Sequence, residues 1–378
     1  MSEETTTLEK VRALRPEIAA RAEEIEGLRA LPRDIAGQLR SAGVFRRYVP
    51  RAYGGDQMWP DEGLTVIEEL ARADASVAWV AAVGSEGPSF YAYLPPETYD
   101  KIYSAGPDVI HTGVINATGR AVRDGDGYRF SGRWSFASGC ANADYICIHG
   151  VLEGEPGASG PPATRLGCVP ASQVEIVDVW HVSGLKGTGS NDVVAADLFV
   201  PGEWTGNIAE LPAVARHPLD QRPLLARFGT EFAAVAVGTA QGALDDIVAI
   251  ANSKTPAMSR SKLASDPVAQ HMVGSLATDL HMARTLLHDV ARSDQASVTG
   301  GAPDDAVIRR ARLARAASVA ASVVDAAYNV SGTTGLFDSC PLQRRLRDVR
   351  AVTQHFLLST RNSFGPAGAA ILSEGQPR

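Results

Sequence analysis

Three stretches of the chain carry side chains able to do chemistry. The first is SGRWSFASGC, residues 131–140. On an alternating strand, Trp134, Phe136 and Ser138 fall on one side. Two aromatic rings and a hydroxyl on one face would wall a planar heterocycle, although an ordinary packed strand carries the same pattern. The second is GLKGTGSNDV, residues 184–193. Gly184, Gly187 and Gly189 suggest a phosphate loop, but the stretch fails both phosphate-loop templates. No Gly-Lys-Ser/Thr follows at the required spacing, and no long helix starts after it. What remains is a glycine-rich turn between strands, either plain or one that lets backbone approach a bound cofactor. The third is PLQRRLRDVRAVTQHF, residues 341–356, with Arg344, Arg345, Arg347, Arg350 and His355 on a predicted helix. His355 lies two turns beyond Asp348 and close to the same face. An unperturbed histidine titrates near neutral pH, so His355 suits a general base. Charge runs on helices usually face water, so most of the arginines are expected at the surface or at a subunit interface.

These stretches sit in three segments of different texture. Residues 1–110 read as helical. Leu8, Val11, Leu14, Ile18 and Ala22 recur at spacings of three and four. Pro32 opens a second helix with Ile35 and Leu39 inward, a third runs through Leu64, Ile67 and Leu70, and a fourth through Val77 to Val83. Residues 111–215 hold short β-branched and aromatic runs between turn residues, which predicts a small antiparallel barrel or sandwich. Asp124-Gly125-Asp126-Gly127 is a hairpin signal, and the Gly/Pro-rich stretch from Glu153 to Thr164 predicts an exposed loop. Residues 216–378 are alanine-rich. Phe232–Ala251, Pro267–Ser293, Pro303–Val330 and Leu342–Ser363 predict four long helices in an antiparallel bundle. A doubly wound dinucleotide fold would alternate strands and helices throughout. This order instead predicts an α+β protein with a β domain between two helical ones.

Composition bounds the rest. At 378 residues the chain is long enough for two or three units. It buries enough surface to need no disulfide or metal staple. The 36 basic against 43 acidic residues give a net charge of −7, which disfavours a nucleic-acid binder. No apolar run approaches the roughly 18 residues that cross a bilayer, and MSEETTTLEK lacks the pattern of a signal peptide. Cys140, Cys147, Cys168 and Cys340 form no CxxC pair and no recognisable metal site. A large cytoplasmic enzyme is the default expectation.

Four local patterns together resemble the acyl-CoA dehydrogenase superfamily and, within it, the oxygenase components of two-component flavin-dependent hydroxylases. They are DASVAW (74–79), GRWSFASG (132–139), HVSGLKGTGSNDV (181–193) and PLQRRLRDVRAVTQH (341–355). The resemblance covers most of the chain, from Leu8 to Leu372. It implies N-terminal helices, a central β-barrel and a C-terminal four-helix bundle, assembled as a homotetramer. Reduced FMN or FAD, supplied by a separate flavin reductase, would sit between the β domain and the bundle, with molecular oxygen as co-substrate. Phe136 and Ser138 fall where an aromatic residue and a threonine cover the flavin ring and its N5 region in the dehydrogenases. Trp79, His111 and Gly113 look similar to residues bordering flavin or substrate, Trp134 would add to the aromatic wall, and Arg347, with Asp348, looks structural or cofactor-facing.

Two departures point to the hydroxylase branch. No Asp or Glu occurs from Val349 to Ile371, where many dehydrogenases keep their catalytic carboxylate, which leaves Asp245 and Asp246 as displaced candidates. The Arg-x-x-Phe-Gly motif that grips a tightly bound dinucleotide flavin is also missing. In the hydroxylases a flavin C4a-hydroperoxide transfers oxygen to an electron-rich ring. The resemblance then casts His355 as the base that deprotonates a phenol or similar group, and Ser138 as a hydrogen-bond donor near N5. An N-hydroxylase of an amine, with acidic groups near Glu86, a dehydrogenase with a displaced base and a non-catalytic scaffold are the competing readings.

Overall fold

The structure, a computed structural model, describes residues 5–154, 162–302 and 304–374. Most of the Gly/Pro-rich loop expected over residues 153–164 lies outside them.

Among the described residues, seven helices come first: α1 (Thr7–Ala20), α2 (Ala22–Leu28), α3 (Arg33–Ala42), α4 (Pro60–Ala73), α5 (Ala75–Gly84), α6 (Gly87–Tyr91) and α7 (Pro96–Tyr103). Their starts follow from local chemistry. Thr6 and Glu9 form a reciprocal capping box at α1. At α5 the Asp74 carboxylate accepts from the amides of Ser76 and Val77 at 2.9 and 3.0 Å. That cap occupies two of the helix's orphan donors and fixes the rotation that turns Trp79 inward.

Eight strands follow: β1 (His111–Gly113), β2 (Gly119–Asp124), β3 (Gly127–Ala137), β4 (Tyr145–Leu152), β5 (Thr164–Pro170), β6 (Glu175–Val177), β7 (Asn191–Pro201) and β8 (Thr205–Gly206). The Asp-Gly-Asp-Gly turn closes the β2–β3 hairpin, with Asp124 opposite Gly127. The sheet order is β6-β7-β3-β2-β4-β5-β8, and β1 runs parallel to β4. Among the described residues no ladder joins β6 to β8, so the sheet is open and not the closed barrel that the sequence suggested. The β3–β7 register shifts between Trp134 and Ala137, and Phe136 takes a φ of 68°. This bulge breaks the strand alternation.

The C-terminal segment holds α8 (Thr230–Ser253), α9 (Pro267–Val298), α10 (Ala306–Ser331), α11 (Pro341–Val352) and α12 (Thr360–Glu374). The single helix expected over Leu342–Ser363 is two helices with a turn between them. Pro366 lies inside α12 without ending it. Helix α8 is long and apolar enough by composition to cross a bilayer, yet it packs against α4 and α10 inside the protein. One apolar core joins α1 and α3–α5 to α8–α11; a second fills the β layer around Phe130 and Trp134.

Two polar junctions weld the segments. Arg47 is fully buried and donates to Glu231 on α8 at 2.9 Å, to the carbonyls of Val44 and Gly63, and to Ser85 Oγ. At the other junction the Asp348 carboxylate on α11 accepts the Leu185 N–H at 2.7 Å. Burial beside Asp74 pushes the Asp348 carboxyl up to about 7. Gly184 is what allows this approach, since a Cβ there would stand 2.2 Å from the Arg347 carbonyl oxygen. Gly184→Ala should therefore destabilise the fold by about 1–3 kcal/mol through overpacking. Gly37→Ala, with nothing within 4 Å of the added methyl, should be neutral or stabilising on an exposed helix face. Equal denaturant midpoints for the two variants would disprove the role of the Gly184 junction.

Candidate active site

A cavity of about 430 Å³ opens where α5, the β layer, α8 and the α11–α12 turn meet. Ring contacts divide its wall into three groups. Trp79 stacks on Phe232 at 4.6 Å, and the His355 ring lies 4.5 Å from Phe232 and 5.6 Å from Trp79. Phe90 packs between His111 at 4.6 Å and Phe228 at 5.5 Å. Phe136 meets Trp180 edge-on at 5.9 Å.

His355 is not on a helix. Helix α11 ends at Val352, and His355 sits in the following turn, its N–H bonded to the Val352 carbonyl at 3.1 Å. The Leu358 and Ser359 amides return to the His355 carbonyl at 2.8 and 3.0 Å. The turn therefore holds the backbone while the ring enters the cavity wall. Its Nδ1 is buried and has no hydrogen-bond partner. Burial, aided by the nearby Arg310 charge, lowers the imidazole to about 4, so the ring is neutral at physiological pH. Arg310 itself donates to the Phe356 carbonyl.

Ser138 ends the bulged segment and faces the cavity. Its Oγ accepts from Trp79 Nε1 at 3.1 Å and lies 2.7 Å from Ser190 Oγ. Ser190 Oγ lies 2.7 Å from Thr188 Oγ1, which donates to the Leu185 carbonyl at 2.8 Å. Trp180 Nε1 reaches the same carbonyl at 3.0 Å. The motif HVSGLKGTGSNDV thus supplies Thr188 and Ser190 to a hydroxyl chain, and Trp180, just before it, adds one aromatic wall. Its glycines admit protein backbone, as the Gly184 contact with Arg347 shows.

His111 and Gly113 also line the cavity. His111 Nδ1 lies 3.2 Å from the Tyr91 hydroxyl, and Gly113 stands close against Cys147 and the His111 ring. Glu86 is the cavity's lone carboxyl among the described residues. Burial, reinforced by the Glu231 charge, drives it well above the usual carboxylate range, which favours its neutral form.

Several residues fall elsewhere than their spacing suggested. Trp134 is wholly buried inside the β layer, where its Nε1 donates to the His149 carbonyl at 2.7 Å, and it does not line the cavity. The bulge separates it from Phe136, which is 69% exposed. Arg347 also lies outside the cavity lining. Its guanidinium is engaged by Glu26, Gln343 and the Ser183 carbonyl. Arg345 is not solvated but buried, paired with Asp246 at 2.6 Å. Asp245 pairs with Arg72, so neither candidate for a displaced base reaches the cavity. Sequence reasoning missed Trp180, Ser190, Phe90, Phe228 and Phe232. Only Trp180 and Ser190 had a signal, since they flank or lie in the motif read as a turn.

Comparison with known proteins agrees with this architecture. Models of the acyl-CoA dehydrogenase N-terminal and C-terminal domains match residues 2–93 and 230–360. The chain is 32% identical to an indole-3-acetate monooxygenase of Pseudomonas putida, across 89% of this chain and 86% of that protein. It is 33% identical to the oxygenase component of an FADH(2)-dependent resorcinol hydroxylase of a Rhizobium species, across 89% and 87%. The crystal structure of a 3-HSA hydroxylase from Rhodococcus sp. RHA1 superposes with a TM-score of 0.89 at 26% identity, covering 100% of this chain and 98% of that one. The chain belongs to the acyl-CoA dehydrogenase superfamily, among the oxygenase components of its flavin-dependent monooxygenases.

Proposed function

We propose that the protein is the hydroxylase of a two-component system, which takes reduced FMN or FAD from a separate reductase and hydroxylates an uncharged aromatic ring with molecular oxygen. One observation carries this reading. A single cavity brings together a neutral imidazole with an unpartnered Nδ1, a hydroxyl with an open lone pair, and flat aromatic walls. Those groups fit a planar heterocycle and a second ring. The bound reduced flavin supplies the electrons that reduce one oxygen atom to water while the other goes to the ring.

The chain's own residues divide the remaining work. Phe136, Trp180 and Trp79 flank the flavin, with Ser138 at its ring nitrogens. Gly113 and His111 border it from β1. His355 takes the proton of a phenol or indole, which makes the ring more nucleophilic. The surrounding rings exclude water, and exclusion suppresses loss of the oxidant as hydrogen peroxide. With a reductase, NADH and oxygen present, the protein should hydroxylate phenols or indoles, and His355→Ala should cut kcat by about 10²–10⁴-fold. No product with either flavin would disprove the reading. Because His355 is neutral above about pH 4, kcat/KM should stay level from pH 8 down to 5.5. An acid limb near 6.5 would show that burial does not lower the His355 imidazole.

The cavity also limits the substrate. No Arg or Lys lines it among the described residues, and burial favours the neutral form of its one carboxyl. An aromatic acid would bring an unpaired carboxylate into a low-dielectric site, which costs several kcal/mol. A neutral Glu86 equally gives no fixed anion to hold an amine. Indole should therefore bind at least about tenfold tighter than indole-3-acetate. Equal affinity in a calorimetric titration would contradict this.

Assembly and location follow the same reading. Leu336, Phe337, Val268, Ile371 and Leu372 are exposed around the C-terminal helices, which supports a homotetramer built on a four-helix bundle. Four buried free thiols suit the cytoplasm. Light scattering should give about four times the 39.9 kDa chain mass. A monomer would refute the assembly.

A further inference from the structure

The hydroxyl chain beneath Ser138 fixes more than position. Three oxygen–oxygen contacts run in series: Ser138 to Ser190 at 2.7 Å, Ser190 to Thr188 at 2.7 Å, and Thr188 to the Leu185 carbonyl at 2.8 Å. Two oxygens this close attract only if a proton lies between them. The three hydroxyls bring one proton each, and the carbonyl brings none. Three contacts therefore consume three protons, and the direction is forced. Thr188 donates to Leu185, Ser190 to Thr188, and Ser138 to Ser190. Trp79 Nε1 donates into Ser138 from the other side at 3.1 Å. Ser138 then has no proton left for the cavity and one lone pair open toward it.

We infer that Ser190 and Thr188 are positioning residues that lock Ser138 as a hydrogen-bond acceptor, so that the site selects reduced over oxidised flavin. This rests on the flavin reading above and reverses the donor role that the sequence suggested for Ser138. Reduced flavin carries a hydrogen on N5 and can donate to Ser138. Oxidised flavin presents a lone pair there, which would face another lone pair. A buried acceptor left facing an acceptor forfeits its hydrogen bond and its desolvation energy, a difference of roughly ten- to a hundredfold in affinity. No movement of the backbone is needed for this discrimination.

The test is anaerobic titration of the whole protein with oxidised FMN and with dithionite-reduced FMN, giving two dissociation constants per variant. Wild type should bind the reduced form at least about tenfold tighter. Ser190→Ala frees the Ser138 proton to turn toward the cavity. Thr188→Val does the same indirectly, because Ser190 is then free to donate to Ser138. In both variants oxidised FMN should bind more tightly and the ratio should fall toward one. Thr188→Ser restores the chain and should restore the ratio. A merely structural role would weaken both redox forms alike and leave the ratio unchanged, which would overturn the inference. Equal binding of the two forms by wild type would overturn it as well, with the flavin reading intact. Failure to bind either redox form of FMN, and of FAD in a parallel titration, would overturn the flavin reading itself.

Discussion

The contact on which the site depends is the one between the Asp348 carboxylate and the Leu185 amide. It joins the second half of the bundle's penultimate helix to the loop between two strands, far apart in sequence. Gly184 lets the two backbones meet, and Arg347 clamps the same loop through the Ser183 carbonyl while holding Glu26 of the N-terminal helices. All three segments therefore converge on a few residues. The consequences run outward in both directions. One side of the junction places the Leu185 carbonyl, the anchor of the hydroxyl chain and of Trp180. On the other side, α11 ends and the turn carrying His355 begins.

Burial does the electrochemical tuning. The cavity wall is aromatic, so charged forms lose hydration without gaining partners. Burial lowers the His355 imidazole and raises the Glu86 carboxyl, the same cause acting on groups of opposite type. A short way behind them, the buried Arg47 guanidinium is paired with Glu231 and has further acceptors in the Val44 and Gly63 carbonyls. The buried ion pair gives register between the N-terminal helices and α8, and Phe232 sits one residue beyond Glu231. Trp79 is placed by the Asp74 cap. The stacked pair Trp79–Phe232 thus inherits its position from two separate polar interactions.

Much of this frame was legible in the sequence, because its signals are local. The 3.6-residue periodicity and the Asp-Gly-Asp-Gly turn each act within a few residues, and the helices and the hairpin appear close to where they point. The losses have identifiable causes. Alternation placed Trp134 beside Phe136, but a bulge with Phe136 at positive φ inserts a reversal that no local residue announces. The stretch after Val352, TQHFLLS, contains no glycine or proline, so nothing local ends the helix. Tertiary packing ends it, as the rings of His355 and Phe356 enter the cavity wall. Strand β2, GRAVRD, is too charged to read as a strand, and its pairing with β3 and β4 decides the matter. The arginine run looked like a solvated face, whereas Arg345 is buried against Asp246. Long-range partners of this kind cannot be seen in spacing alone.

A net charge of −7 gives the chain no general attraction for an anionic flavin. A protein that borrows its cofactor has a second problem, which charge would not solve. Both redox forms carry the same phosphate, so phosphate contacts bind them almost equally, and equal binding shifts no equilibrium. Discrimination must come from the part of the molecule that changes on oxidation, which includes the hydrogen on N5. A hydroxyl free to rotate would serve either form, as donor to one and acceptor to the other. Only a hydroxyl whose proton is already committed can tell them apart. In this fold the commitment is made three residues away, at a carbonyl that the Asp348 junction holds in place. The scaffold thus turns a packing contact between helix and loop into a polarity at the cofactor site.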